Sequence, residues 1–428
     1  VPYSPLQLAT RLSHEQLKAP HNILGRIIFL LFTLHSILYL NFFIQSGLLG
    51  KRIKDRDVIC GIVSIALFAT ISTTALGRLR RWNYRIFFVY HVVIANILVI
   101  PLYLHVKHVR IFVWEVVFVN ALHLAFQEQR RKTYLGTIKL LPGTNLVQMC
   151  IPLTDIHSAL SWQPGQHVYL SLPTGSLYSS SIKDQFALRL RTNPFTVASI
   201  PAKDKKLLLV ARTLNGNTKQ LASLARSLSS NGQLSSIPLA IEGPYGASNR
   251  LPDFSTFDKV LFVGGGVGAT FLIPIWRSIN HPGIRFIWAV QKLADARWAF
   301  PIAIEEENAA SDSEAGSESH NTNVVEIFVT RDSGSTLHTS EQEDGIELEE
   351  ADQLLSPEEE TNESLEGMVV TMGRPRISAI VDEEFSKGTR VAVVGCGPKR
   401  LTKNLSESVE QWVKQGHEVF YHEETFSW

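Results

Sequence analysis

Residues 85–105 read RIFFVYHVVIANILVIPLYLH, and the nature of this stretch decides the fold. It is about one membrane thickness of almost unbroken apolar residues, long enough to span a bilayer as a helix. It carries two imidazoles, His91 and His105, fourteen positions apart. On a helix that interval leaves them about 40° apart in azimuth and about 21 Å apart along the axis, on nearly one face. The segment HNILGRIIFLLFTLH repeats the device upstream with His21 and His35. Two parallel helices with matched pairs could clamp two haems, one above the other, each iron held by one imidazole per helix. An intramembrane histidine can also simply hydrogen-bond a neighbouring helix, but four at a repeated interval point to a functional role. No C-x-x-C-H is present, so the haems expected here are non-covalent, of the b type.

Around this stretch four spans are readable, at about 22–44, 57–77, 84–105 and 109–127. The connection carrying Arg78, Arg80, Arg81 and Arg85 and the exit Arg130–Lys132 are strongly basic, which places them on the cytoplasmic side. The first turn, KRIKDRD, is basic too but partly neutralised by Asp55 and Asp57. The first and third spans then both run outward. His21 pairs with His91 at the inner level, and His35 with His105 at the outer level. His108 and His123 fall outside the repeat and read as structural or interfacial.

The 428 residues suffice for two or three domains. A formal charge of +1 gives no global field for nucleic acid or an acidic partner. Three scattered cysteines, Cys60, Cys150 and Cys396, exclude a disulfide scaffold and a cysteine-rich metal site. The opening VPYSPLQLATRLSHEQL has no basic or apolar leader region and no initial Met. A chain truncated at its N-terminus is the expectation.

From Leu135 the pattern turns to short alternating strands with turn signals, through PGQH, NPFTVAS, GNTKQL and EGPYG, as expected of a small antiparallel barrel. After Phe257 strands alternate with helices: KVLFVGGGVGATFLIPIW, RFIWAVQK, NVVEIFVTR and TRVAVVGCGP. That is the pattern of an α/β nucleotide-binding layer. The fold expected is a transmembrane helical bundle over 1–132, a β-barrel over 133–250 and a Rossmann-like layer over 251–428. Acidic, Ser-rich stretches at about 305–321 and 333–366 cannot bury enough to order themselves and read as disordered insertions.

GGGVGA follows an apolar strand and opens a helix, the context in which a glycine turn cradles a pyrophosphate. Gly264, Gly265, Gly266 and Gly268 are the candidate residues, though tight turns also use such glycines. No carboxylate ends the second strand, where a ribose hydroxyl would be held; Gln291 and Lys292 stand there, and Arg331 ends the third. This favours the 2′-phosphate of NADP. Cys396 lies at the C-terminal edge of a parallel strand, facing the ligand crevice or the core.

The barrel and layer together resemble the ferredoxin–NADP reductase superfamily. With the membrane part in front, the chain resembles the ferric reductase and NADPH oxidase family, more specifically the fungal metalloreductases. The two H-x13-H helices, PGQH, NPFTVAS, GNTKQL, EGPYG, GGGVGATF, GRP, CGP and the terminal HEETFSW carry that resemblance. It implies an FAD site with Pro194, Phe195 and Thr196 at the isoalloxazine and Asn193 and Ser199 beside it. Arg212 and Thr218 would face the FAD pyrophosphate. Gly264–Thr270 and Cys396, Gly397 and Pro398 would line the NADPH site, with Trp428 covering the flavin. The family usually shows His where Asn193 stands, and has further helices upstream. The implied function is transfer of electrons from NADPH through FAD and two b haems to Fe(III) or Cu(II) chelates across a bilayer. The implied location is the plasma membrane, flavin domain inside. A superoxide-producing oxidase and a truncated, non-catalytic relative are the alternatives.

Overall fold

The computed structural model describes residues 14–77, 84–153, 161–171, 193–214, 217–230, 236–246, 251–300, 325–330, 368–388 and 390–424. The chain divides into two units, Val1–Arg131 and Lys132–Trp428. Arg331, Trp428 and both acidic stretches lie outside the described residues, as does the side chain of Asn193.

The first unit is helical: α1 (His14–Gln45), α2 (Arg56–Thr74), α3 (Tyr84–His105) and α4 (Arg110–Arg130). These helices, with the turn before α4, supply four stretches of 19 to 27 residues apolar enough to cross a membrane. Their apolar side chains point outward: Leu30, Ile100 and Phe118 are 68%, 63% and 67% exposed. Such a surface is costly in water and suits hydrocarbon, and helices satisfy their own backbone groups there. Asn120 donates to Asn96 from α4 to α3 at 3.4 Å, and Phe32 of α1 meets Phe68 of α2 at 4.8 Å.

The second unit begins with a six-stranded sheet in the order β4-β3-β6-β1-β2-β5. Its strands are β1 (Arg131–Leu140), β2 (Leu146–Pro152), β3 (His167–Ser171), β4 (Asn193–Thr196), β5 (Lys206–Arg212) and β6 (Ile237–Tyr245). A bridge from Val197 to Leu209 joins the two ends and closes the sheet into a barrel. Val147, Met149, Val168, Leu207, Leu209 and Leu239 fill the interior. The helix α5 (Asn217–Ser230) lays Leu221, Ala222, Ala225 and Leu228 on that core as one stripe.

The layer that follows is parallel, in the order β10-β9-β8-β7-β11-β12. Its strands are β7 (Lys259–Gly265), β8 (Ile284–Val290), β9 (Val325–Val329), β10 (Met368–Met372), β11 (Arg390–Cys396) and β12 (Glu418–Glu424). Burial on both faces explains the continuous apolar runs of β7 and β11. Successive residues part: Val260 and Phe262 pack with α6 (Ala269–Ser278), while Leu261 and Val263 pack with α7 (Ile377–Ser386) and α8 (Lys399–Lys414). Burying Phe262, Phe286 and Trp288 completely contributes about 1.5–3 kcal/mol each. The strand order runs outward from β7 one way and from β11 the other, so the crevice of a doubly wound sheet opens between their C-terminal ends.

Candidate functional site

At that crevice Gly264 of β7 stands in register with Cys396 of β11. The turns beyond them touch backbone to backbone. A Cβ on Gly268 would press on the Cys396 carbonyl, and one on Gly265 would come within 2.6 Å of Pro398 Cδ. Gly266 differs: its φ is +53°, and a Cβ there would meet nothing within 4 Å. The indole of Trp288 donates to the Gly266 carbonyl at 2.9 Å, and the Thr270 hydroxyl to that of Val267 at 2.8 Å. The turn is thus fixed from below and open above, a cradle that suits a pyrophosphate. Gly264, Gly265, Gly266, Gly268, Thr270, Cys396, Gly397 and Pro398 all meet here. Lys292 is exposed just beyond β8, and its backbone amide donates to Asp295 at 3.1 Å. The Cys396 thiol is fully buried, and burial, with Glu424 and Glu423 nearby, pushes its pKa well up. It stays a thiol at neutral pH and offers an S–H, not a nucleophile.

On the barrel side, the Phe195 ring belongs to the barrel core, beside its register partner Val168. Thr196, opposite His167, is buried to 9% exposure. Ser199 is committed to structure: its hydroxyl accepts from Leu208 N at 3.0 Å and its carbonyl from the Trp162 indole at 2.8 Å. Thr218 Oγ1 accepts from Leu214 N at 2.9 Å and closes the turn into α5. Arg212 is exposed at the end of β5, five residues before α5 begins.

Sequence reasoning did not single out a cluster beside these residues. His167, Tyr169 and Tyr245 form a ring triangle with centroids 5.5 to 6.0 Å apart. Tyr245 donates to the buried Glu242 at 2.7 Å. The only signal in the sequence was that PGQH and EGPYG are both turn motifs; their meeting is tertiary. The layer reaches this cluster through Glu424, whose partner His422 lies 3.4 Å away and packs on Phe271. Arg277 of α6 fixes barrel to layer through a bidentate pair with Asp204 at 2.9 and 3.0 Å.

Burial lowers the His167 pKa to about 4, against a smaller opposing pull from Glu424. The unfolded chain therefore takes up a proton between pH 6.5 and 4 that the folded one refuses. Stability is full above pH 6.5 and falls as pH drops through that window. The residue is partly rather than fully buried, so the loss expected is about 2 kcal/mol, short of what the whole shift would give. Unfolding midpoints at pH 7.5 and 5 check this: His167→Phe should narrow the gap between them, and an unchanged gap assigns the acid sensitivity elsewhere.

Within the helical unit, the rings of His21 and His91 stand 6.1 Å apart between centroids, edge to face. His91 Nδ1 is buried without a hydrogen-bond partner. Two imidazoles sharing one metal ion at about 2 Å per bond stand about 6 Å apart, so this pair fits an iron between them. His35 and His105 have other neighbours. His35 packs on Tyr39 at 4.6 Å. His105 Nδ1 lies 2.7 Å from the Asp57 carbonyl, and a Cβ on Gly61 would come within 2.7 Å of the ring. A carbonyl only accepts, so Nδ1 carries the proton and Nε2 keeps the lone pair a metal needs.

Three family descriptions match the chain in succession. "Ferric reductase like transmembrane component" covers residues 2–102, "FAD-binding domain" 131–249 and "Ferric reductase NAD binding domain" 257–410. A probable metalloreductase of Meyerozyma guilliermondii is 23% identical over 92% of this chain and 73% of its own length. The ferric/cupric reductase transmembrane component 1 of Candida albicans is 22% identical over 95% of this chain and 52% of its own. For the ferric reductase transmembrane component 3 of Saccharomyces cerevisiae the figures are 24%, 95% and 56%. The chain thus spans from about half to three quarters of the length of these relatives.

Proposed function

We propose that this chain, which joins the membrane, FAD-binding and NAD-binding modules of the ferric reductase family, carries electrons from NADPH across a bilayer to Fe(III) or Cu(II) chelates. The observation that carries this reading is the His21–His91 pair, two facing imidazoles on two membrane helices of a chain that also holds a nucleotide cradle. FAD would supply the change from hydride to single electrons, and two b haems the relay through the membrane.

The chain's own residues bind, orient and separate. Gly264–Gly268 and Cys396–Pro398 would hold the NADPH phosphates, while Arg212 and the start of α5 would hold those of FAD. Pro194, Thr196 and the His167 cluster would border the flavin ring, with Asn193 and Ser199 beside them and Trp428 over its face. Cys396 would present a neutral thiol beneath the nicotinamide. His21 and His91 would ligate the inner iron, His35 and His105 the outer, with the Asp57 carbonyl holding His105 in the ligating tautomer. The domains are assigned as 1–132, 133–250 and 251–428, in the plasma membrane with the flavin side cytoplasmic.

The test uses purified membranes given NADPH without oxygen, with haem reduction recorded and Fe(III) chelate and oxygen then offered separately. NADPH-driven haem reduction followed by reoxidation with Fe(III) supports the reading. Reoxidation by oxygen alone makes the protein an oxidase, and no haem reduction makes it a non-catalytic relative.

Lys292, with Arg331, is assigned to the 2′-phosphate. Lys292→Glu should lower kcat/KM for NADPH at least tenfold and leave NADH within twofold, since a charge-assisted bond to the phosphate contributes about 1.5–3 kcal/mol. Equal losses with both nucleotides would move Lys292 out of the site.

A further inference from the structure

The turn after α1 and the turn before α4 lie at the same end of the helical unit, because successive helices run in opposite directions. The chain leaves for its flavin half from the other end, after α4. Residues 46–57 and 106–110 hold six Lys or Arg against two Asp. Both carboxylates face one cation: Asp55 lies 2.5 Å and Asp57 3.7 Å from the Arg52 guanidinium. Arg110 is held on Tyr103, stacked at 4.9 Å and bonded to its carbonyl. Among the described residues Lys51, Lys54, Arg56 and Lys107 have no carboxylate partner, and all four are exposed. Arg56 precedes Asp57, whose carbonyl meets His105, and Lys107 follows His105 by two residues.

Positive charge on this side does not help the helices insert, since Lys and Arg orient a membrane protein when they are cytoplasmic. Uncompensated charge at the exit of an electron path has another effect. It concentrates anions over the exit, and the resulting rates fall as salt rises. We propose that this cationic rim selects the acceptor, and that the chain reduces metal chelates of net negative charge in preference to neutral or cationic ones. The inference rests on the electron-transfer reading above. The reaction balances as NADPH + 2 Fe(III)–chelate → NADP+ + H+ + 2 Fe(II)–chelate, each chelate gaining one electron and keeping its ligand.

The test uses the full chain in vesicles, with ferricyanide as anionic and hexaammineruthenium(III) as cationic one-electron acceptor, NADPH being the donor. The ratio of kcat/KM for anion over cation should fall at least fivefold between 20 and 200 mM salt. It should fall at least tenfold in the double variant Lys54→Glu, Lys107→Glu. A ratio that is the same in wild type and variant at 20 mM salt overturns the proposal. Vesicles of zwitterionic lipid are compared with vesicles containing anionic lipid. If the variant alters the ratio only with anionic lipid, the rim serves headgroups and the proposal fails. If neither acceptor is reduced by wild type, the electron-transfer reading itself fails; that outcome is distinct from reduction of both without regard to charge.

Discussion

His91→Leu is expected to remove one low-spin haem and to slow NADPH-driven reduction of acceptors across the membrane by at least a hundredfold. Reduction of the bound flavin by NADPH should continue within twofold of wild type. The expectation rests on the 6.1 Å separation from His21 and on the buried, unpartnered ring nitrogen. A leucine of similar bulk fills the place without leaving a polar atom in hydrocarbon, so the helices should still pack. His21→Leu should give the same spectrum, because either loss breaks the same pair. Haem content by Soret absorbance and by pyridine extraction measures the result independently of turnover. Wild-type haem content in both variants would remove the pair from the iron and leave it as a packing contact between helices.

The helices and the two soluble folds were legible because each rests on a local pattern. Unbroken apolar runs of membrane length give spans, and a fourteen-residue interval places two side chains on one face. A strand followed by GGGVGA and a helix is local as well. The rest depends on which elements meet. The Asp57 carbonyl that orients His105 sits 48 residues away in the sequence, and no interval reveals it. The triangle of His167, Tyr169 and Tyr245 forms only because β3 pairs with β6. Phe195 illustrates a further limit. Its motif resembles a flavin-binding one, yet alternation along β4 turns its ring into the barrel core and leaves Pro194 and Thr196 on the other face. The strand β12 was also missed, because EVFYHEE mixes charge with apolar residues where it lies at the sheet edge.

Two glycines of one turn should fail in different ways when each is replaced by alanine. Gly268 has no room: its Cβ would press on the backbone of Cys396, which is itself fixed between β7 and β12. One strand or the other must move, and overpacking of this kind costs about 1–3 kcal/mol. Gly268→Ala should therefore lower the unfolding midpoint and, by shifting both turns, raise KM for NADPH. Gly266 has room but an unfavourable backbone: at φ +53° a side chain costs about 1–2 kcal/mol, with no clash to add. What a methyl group there would meet is the ligand, because the space above the turn is where the phosphates would lie. Gly266→Ala should raise KM for NADPH at least tenfold for a modest loss of stability, with FAD content unchanged. Flavin reduction by NADPH in rapid mixing, set beside thermal unfolding of the same samples, separates the two effects. A Gly266→Ala protein that takes its hydride with wild-type KM would show that nothing binds over this turn, and the nucleotide would have to be sought elsewhere along the crevice.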